Sequence, residues 1–177
     1  KLLVIALEYG ARDQVLQWAK ELSESNRFSD HKVIVLIHSY MGAGNNAALL
    51  GKDNYKMTQI NGGKDVWDKL LSKADNIRLL LCGHYAQADE NFASNVGFRI
   101  DKNKAGKDVF QMMFNAQALG GGLSGNGGDG WLRVLEFMPD GKTIHVITYS
   151  PLFAFSPRTR HLAVDTLPYN SFTFVIE

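Results

Sequence analysis

Cysteine is nearly absent, with Cys82 standing alone among 177 residues. Intrachain disulfides and any zinc or iron–sulfur site built on several thiolates are thereby excluded. Long apolar runs are missing too, since the longest, residues 2–7 and 33–37, fall far short of the ~20 residues a membrane-spanning helix needs. No charge of one sign dominates. Nineteen Lys and Arg against eighteen Asp and Glu leave a formal charge of +1, so no strong overall field favours nucleic acid or anionic lipid. Proline is scarce, at four residues, and no Pro- or Ser-rich linker or charge block marks a domain boundary. What is present, 45% hydrophobic and 11% aromatic residues, is the profile of an ordinary globular domain and excludes global disorder.

The chain opens with Lys1 directly before Leu2-Leu3-Val4-Ile5-Ala6-Leu7, with no charged n-region or cleavage pattern of a signal peptide. Such a run predicts a strand buried on both faces, and therefore a chain that starts inside a larger domain. A turn at Glu8-Tyr9-Gly10 precedes residues 13–25, where Val15, Leu16, Ala19 and Leu22 recur at helical spacing. Val33-Ile34-Val35-Leu36-Ile37 is a second buried strand, giving a βαβ unit with parallel strands and a right-handed crossover. Residues 39–63 are rich in Gly, Asn and Ala and too long for a plain connector. A short helix over 65–73, with Val66, Trp67, Leu70 and Leu71 facing inward, leads to a third buried strand at 77–82.

The rest of the chain changes character. Residues 96–101 and 108–115 flank a loose polar turn, and 131–138 and 142–149 flank Pro139-Asp140-Gly141, which suits a tight reversal. A last alternating segment at 171–176 ends as a strand. The expected fold class is α/β with mixed β-sheets flanked by helices. Residues 1–84 form a βαβ-loop-αβ portion and 96–177 an antiparallel β portion of one domain.

Two histidines share one construction. His38 follows the strand 33–37, and His84 follows Leu79-Leu80-Leu81-Cys82-Gly83, so each sits where a buried strand emerges into a loop. In open α/β sheets the carboxyl ends of the strands line the crevice that binds ligands. If the two strands are parallel neighbours, both imidazoles face that crevice, where they can ligate a metal, act as acid or base, or cap their strands through loop carbonyls.

The series Val33-Ile34-Val35-Leu36-Ile37-His38-Ser39-Tyr40 and Leu79-Leu80-Leu81-Cys82-Gly83-His84, separated by a loop and a helix, resembles the last two metal-ligand motifs of the calcineurin-like metallophosphoesterases. Leu7-Glu8-Tyr9-Gly10-Ala11-Arg12-Asp13 upstream, and Gly130 to Phe137 with Thr143 to Pro151 downstream, resemble the bacterial members through about residue 150. The resemblance implies the C-terminal part of a four-layer αββα sandwich and a dinuclear site. There, two divalent metal ions roughly 3.5 to 4 Å apart activate water for hydrolysis of a small phosphate ester. It makes His38 and His84 ligands of the same metal. The family's carboxylate motifs, Asp-x-His, Gly-Asp-x-x-Asp and Gly-Asn-His-Asp/Glu, do not occur in this sequence, and Gly128-Asp129 is followed by Gly130-Trp131-Leu132. Where the family reads Gly-His-x-His, this chain has Gly83-His84-Tyr85-Ala86, which removes a ligand to the other metal.

Expected, then, is a phosphoesterase once a missing N-terminal half or a second chain is supplied, and an inactive fragment otherwise. The alternative is a binding or interaction module on a degenerate phosphoesterase scaffold. Resemblance to bacterial members, which are often exported, suggests an exported protein. Other residues carry weaker signals. His145 reads as a cross-strand surface residue and His161, beside Arg158 and Arg160, as part of an exposed basic loop. Asp53, Asp89 and Glu90 fall in loops near the two histidine motifs. Residues 120–130 are Gly-rich without a nucleotide-binding spacing, and Asn126 breaks the Gly-x-Ser-x-Gly pattern around Ser124. Trp18, Trp67 and Cys82 read as core.

Overall fold

The computed structural model describes residues 1–52, 55, 57–89 and 91–177. Its regular elements are β1 (Leu2–Ala6), α1 (Asp13–Glu24), β2 (Lys32–Leu36), β3 (Gly44–Asn45), α2 (Gly63–Val66), β4 (Ile77–Cys82), β5 (Val96–Lys102), β6 (Asp108–Phe114), β7 (Leu132–Phe137), β8 (Thr143–Tyr149), α3 (Pro151–Phe155), β9 (Val164–Asp165) and β10 (Phe172–Val175). α2 runs on into a π-helical turn, Trp67–Leu71, in which Ser72 N donates to Trp67 O. Among the described residues no helix is long and apolar enough to cross a membrane. The chain divides into two compact units, residues 1–85 with 97–113, and residues 86–96 with 114–177.

The first unit holds a six-stranded mixed sheet in the order β1-β2-β4-β6-β5-β3. β1, β2, β4 and β6 run parallel, as the continuous apolar runs require when helices link the strands. Ile5, Val33, Val35, Ile37, Ile77 and Leu80 share a core with Leu16 and Ala19 of α1 and with Val66, Leu70 and Leu71 of the α2 segment. Alternation along β2 puts Val33 and Val35 on the helix-covered face. Ile34, only 5% exposed, lies on the opposite face.

Two expectations about this unit fail, each for its own reason. β1 is an edge strand, so its second face is open: Leu2 and Val4 are about half exposed and only Ile5 is buried. Trp18 is likewise half exposed, because α1 buries a narrow stripe through Leu16, Ala19 and Ser23 and residue 18 lies off it. A third difference concerns sheet membership. The 96–114 hairpin reads from sequence as the start of the antiparallel portion, yet β6 pairs parallel with β4 and carries β5 into the first sheet. Its inward residues, Val109 and Met113, are fully buried in the core of the first unit.

Residues 39–63 are tied to the core at both ends. Tyr40 and Met41 are fully buried, and the Tyr40 hydroxyl donates to Gln111 Oε1 at 2.5 Å. Gln111 Nε2 in turn donates to Asp101, which pairs with Arg99 at 2.6 Å. Burial raises the Tyr40 phenol far above its usual range. Leu50 N donates to Tyr40 O and Gly63 N to Leu50 O, so the loop returns against its own start. A Cβ on Gly63 would sit 1.9 Å from Tyr40 O, which explains glycine at this point.

The second unit contains a four-stranded antiparallel sheet, β10-β8-β7 with β9 also on β8. Ile144, Val146 and Phe174 fill its buried face. Arg133 lies over the Phe114 ring at 4.6 Å and donates to Asn170 Oδ1 at 2.6 Å, and loss of hydration lowers its guanidinium to about 10. The turn at 139–141 is tight, as its sequence predicts. The Asp140 carboxylate accepts from the Lys142 and Thr143 amides and the Thr143 hydroxyl, which lowers it to about 2.

Two predictions test these constraints. Gly63→Ala should destabilise the chain by about 3 kcal/mol, because backbone rather than a yielding side chain meets the methyl group, as urea denaturation will measure. Asp140 has its folded pKa below the unfolded value, so its contribution is present above about pH 4 and fades as pH falls toward 2. Asp140→Asn should therefore lower the melting temperature at pH 7, with the difference shrinking on acidification across that window.

Candidate metal site at the carboxyl ends of the parallel strands

β1, β2 and β4 end level with one another, and their pairing continues past the strand termini. Leu7 N donates to Leu36 O at 2.9 Å, Ile37 N to Leu81 O at 3.0 Å and Gly83 N to His38 O at 3.0 Å. The residues that follow, Tyr9, His38 and His84, are thus delivered to one edge of the sheet. Sequence reasoning places the two histidines there if their strands are parallel neighbours, and they are.

The imidazoles meet. His84 Nδ1 lies 3.0 Å from His38 Nε2, with ring centroids 4.9 Å apart and planes inclined at 65°. At that distance one nitrogen carries a hydrogen and the other offers a lone pair. His84 reaches this position through an unusual backbone: its φ is +64°, and Tyr85 N donates to Gly83 O at 2.8 Å across it. A three-residue turn with positive φ at a non-glycine centre is rare and strained, at about 1–3 kcal/mol, and histidine is among the residues that tolerate the left-handed region. The strain aims the side chain at His38. Such outliers cluster where a side chain has a task other than packing.

Two tyrosines complete the surroundings. The Tyr9 ring lies 5.5 Å from His38 and 5.9 Å from His84, and the Tyr55 ring lies 5.6 Å from Tyr9 and 6.4 Å from His84. Neither stands out in the sequence as a site residue. Tyr9 carried a usable signal, since it follows β1 as His38 follows β2, whereas Tyr55 comes from the long loop and had none. Next to Arg12, Glu8 forms a two-point ion pair with distances of 2.7 and 3.1 Å, which lowers its carboxyl below the usual range.

In separation alone, the pair matches two ligands of one cation, which both imidazoles could hold once the shared hydrogen is lost. Imidazole nitrogens at about 2.0–2.1 Å from a common metal, in neighbouring coordination positions, stand about 3 Å apart. Among the described residues, no group of three or more His, Cys, Asp or Glu side chains gathers as a metal-binding cluster, so the donor set here is two nitrogens. The other sequence candidates do not join it. Asp53 and Glu90 lie outside the described residues. Asp89 belongs to the second unit, where bonds from Ser94 and the Asn91 amide hold its carboxyl low. His145 faces Glu136 across β7 and β8 at 3.9 Å, in the cross-strand surface position its alternation predicts. His161 is exposed on a turn, and Ala86, where a second histidine would complete Gly-His-x-His, is exposed as well.

Cys82 precedes the site but packs against the core of the first unit, and desolvation pushes its thiol up to about 12. Labelling by a thiol reagent at pH 8 should accordingly be at least a hundredfold slower in the folded chain than in denaturant, because the reactive thiolate is scarce. Equal rates would show Cys82 to be open and ionisable.

Comparison with known proteins yields little that bears on chemistry. No protein-family model matches the chain, and no solved structure matches it. The chain is similar to the uncharacterized protein YvnB of Bacillus subtilis (strain 168), at 25% identity over 152 residues, which cover 84% of this chain and 10% of that protein. It spans about a tenth of the length of the curated relative it matches.

Proposed function

We propose that this chain is part of a metal-dependent phosphoesterase, in which His38 Nε2 and His84 Nδ1 are two ligands of one divalent cation. The observation that carries the reading is the 3.0 Å approach of the two imidazole nitrogens at the ends of adjacent parallel strands. The order of the motifs around them, which resembles the calcineurin-like metallophosphoesterases, supports it. So does the strained turn at His84, which holds one donor against the other before any ligand arrives.

In this reading the chain's own groups bind and orient. His38 and His84 hold the cation at the sheet edge, and Tyr9 and Tyr55 wall the imidazoles and restrict how water reaches them. Once bound, the cation supplies positive charge to the phosphoryl oxygens and acidifies water. Two neutral nitrogens bring no negative charge to offset a divalent ion, so a working site draws its carboxylates from outside the described residues. The length of the Bacillus relative, about ten times the matched region, is compatible with that arrangement. The substrate of the whole protein is a small phosphate mono- or diester.

A second reading is favoured by Ala86. With alanine where the family has its second histidine, the scaffold can serve as a non-catalytic binding module. The coding sequence ahead of Lys1 separates the two readings: intact Asp-x-His, Gly-Asp-x-x-Asp and Gly-Asn-His-Asp/Glu motifs restore the enzyme, and their absence leaves the module.

Titration with Co²⁺, read by its absorption spectrum, tests the ligand pair directly. His38→Ala and His84→Asn, the latter chosen because asparagine tolerates positive φ, should each weaken binding by about tenfold or more. Unchanged binding in the double variant would overturn the assignment. The 177-residue chain with Mn²⁺ should not turn over bis-p-nitrophenyl phosphate. Robust hydrolysis by it would refute the need for outside carboxylates.

A further inference from the structure

The connection between β8 and β9, residues 150–163, is a built protrusion. Ser150 N donates to Ala163 O at 2.8 Å and closes its base. The Ser150 hydroxyl donates to Asp129 O at 2.6 Å and accepts from Phe153 N at 3.2 Å. Across the protrusion, the Thr159 hydroxyl donates to Phe153 O at 2.8 Å. Within α3, Phe153 turns inward, its ring edge-on to Trp131 at 5.5 Å. Leu152 and Phe155, three residues apart and so on one helical face, are left outside. Leu152 is 52% exposed and Phe155 is 89% exposed. Leu162, on the adjoining turn, is 49% exposed.

The charged residues of the protrusion itself have one sign. Arg158, Arg160 and His161 are all exposed, and residues 141–164 contain no Asp or Glu. Neither arginine has a carboxylate partner among the described residues. The acidic groups nearest the stretch have hydrogen-bond partners of their own: Asp129, whose carbonyl takes the Ser150 hydroxyl, accepts from Asn126, Asp140 holds the β7–β8 turn and Asp165 accepts from Leu167 N. The net charge of the chain is only +1, so any attraction here is local.

We infer that the 150–163 protrusion is a docking tip for an anionic lipid surface, with Phe155, Leu152 and Leu162 entering the interface and Arg158 and Arg160 meeting the headgroups. An aromatic ring almost wholly in water at the end of a convex, internally bonded loop has no groove of its own to fill. A protein partner would need a pocket around one ring and a separate set of carboxylates. A bilayer with anionic lipid meets both needs at once, since aromatic and leucine side chains partition at the headgroup–acyl boundary and nearby arginines are attracted to the surface potential. This inference is independent of the phosphoesterase proposal, because none of its residues belongs to the histidine site.

Sedimentation with vesicles of 70% phosphatidylcholine and 30% phosphatidylglycerol tests it. The chain should bind these vesicles, bind pure phosphatidylcholine much less, and be released by 1 M salt. Arg158→Gln and Arg160→Gln should each weaken binding about fivefold, and Phe155→Ser by about tenfold. Thermal melting of each variant should be unchanged, since the side chains are exposed. Absence of binding, equal binding to uncharged vesicles, or unaffected binding by the triple variant would overturn the inference. Binding of polyglutamate through these same side chains, without vesicle binding, would also overturn it and assign the tip to an acidic polypeptide.

Discussion

The parallel registration of β2 with β4 is the constraint on which the candidate site depends. Hydrogen bonding continues beyond the formal strand ends, through Ile37 to Leu81 and Gly83 to His38, so the backbones carrying the two histidines are held side by side. Parallel strands put equivalent ends on one edge of the sheet. Because α1 and the α2 segment bury the central strands, that edge is anchored by the core of the first unit. Any slip by one residue would turn Val33 and Val35 out of the core, and packing therefore fixes where the imidazoles emerge.

Given that frame, the local backbone at His84 makes the last adjustment. A positive φ at a non-glycine residue costs free energy, and here the neighbouring strand pair and the Tyr85–Gly83 hydrogen bond hold the strain in place. The result is two imidazole nitrogens in hydrogen-bond contact and flanked by two tyrosine rings. In the reading proposed above, this pair is half of a cation site, and among the described residues no cluster of three or more His, Cys, Asp or Glu completes it. Histidine supplies direction and softness, whereas charge neutralisation requires acidic side chains.

The same logic explains which parts of the fold were legible. β2 and β4 read clearly because short runs dominated by aliphatic residues, with no Pro or Gly, have few alternatives to a doubly covered strand. α1 was visible through its 3.6-residue spacing, and the 139–141 turn through its Pro-Asp-Gly chemistry. β1 misled, since an apolar run does not reveal whether it sits at the centre or the edge of a sheet. Trp18 misled because a large aromatic near an amphipathic stripe can flank it without joining it. The sheet that takes up β5 and β6 was not legible, since the pairing of β6 with β4 joins residues some thirty apart and depends on shape rather than on local pattern.

By itself the sequence did not reveal β3, α3 or β9; it determined the types of the longer elements, the emergence of His38 and His84 from apolar strands, and the absence of the family's carboxylate motifs. These are local properties, set by side-chain period and residue type. Tertiary structure alone decided that the two strands are neighbours, that the imidazole nitrogens approach to 3.0 Å, that Tyr9 and Tyr55 lie beside them, and that Phe155 stands in solvent. Each of these depends on which surfaces are brought together across long stretches of chain, and that is settled by burial and register rather than by any local run of residues.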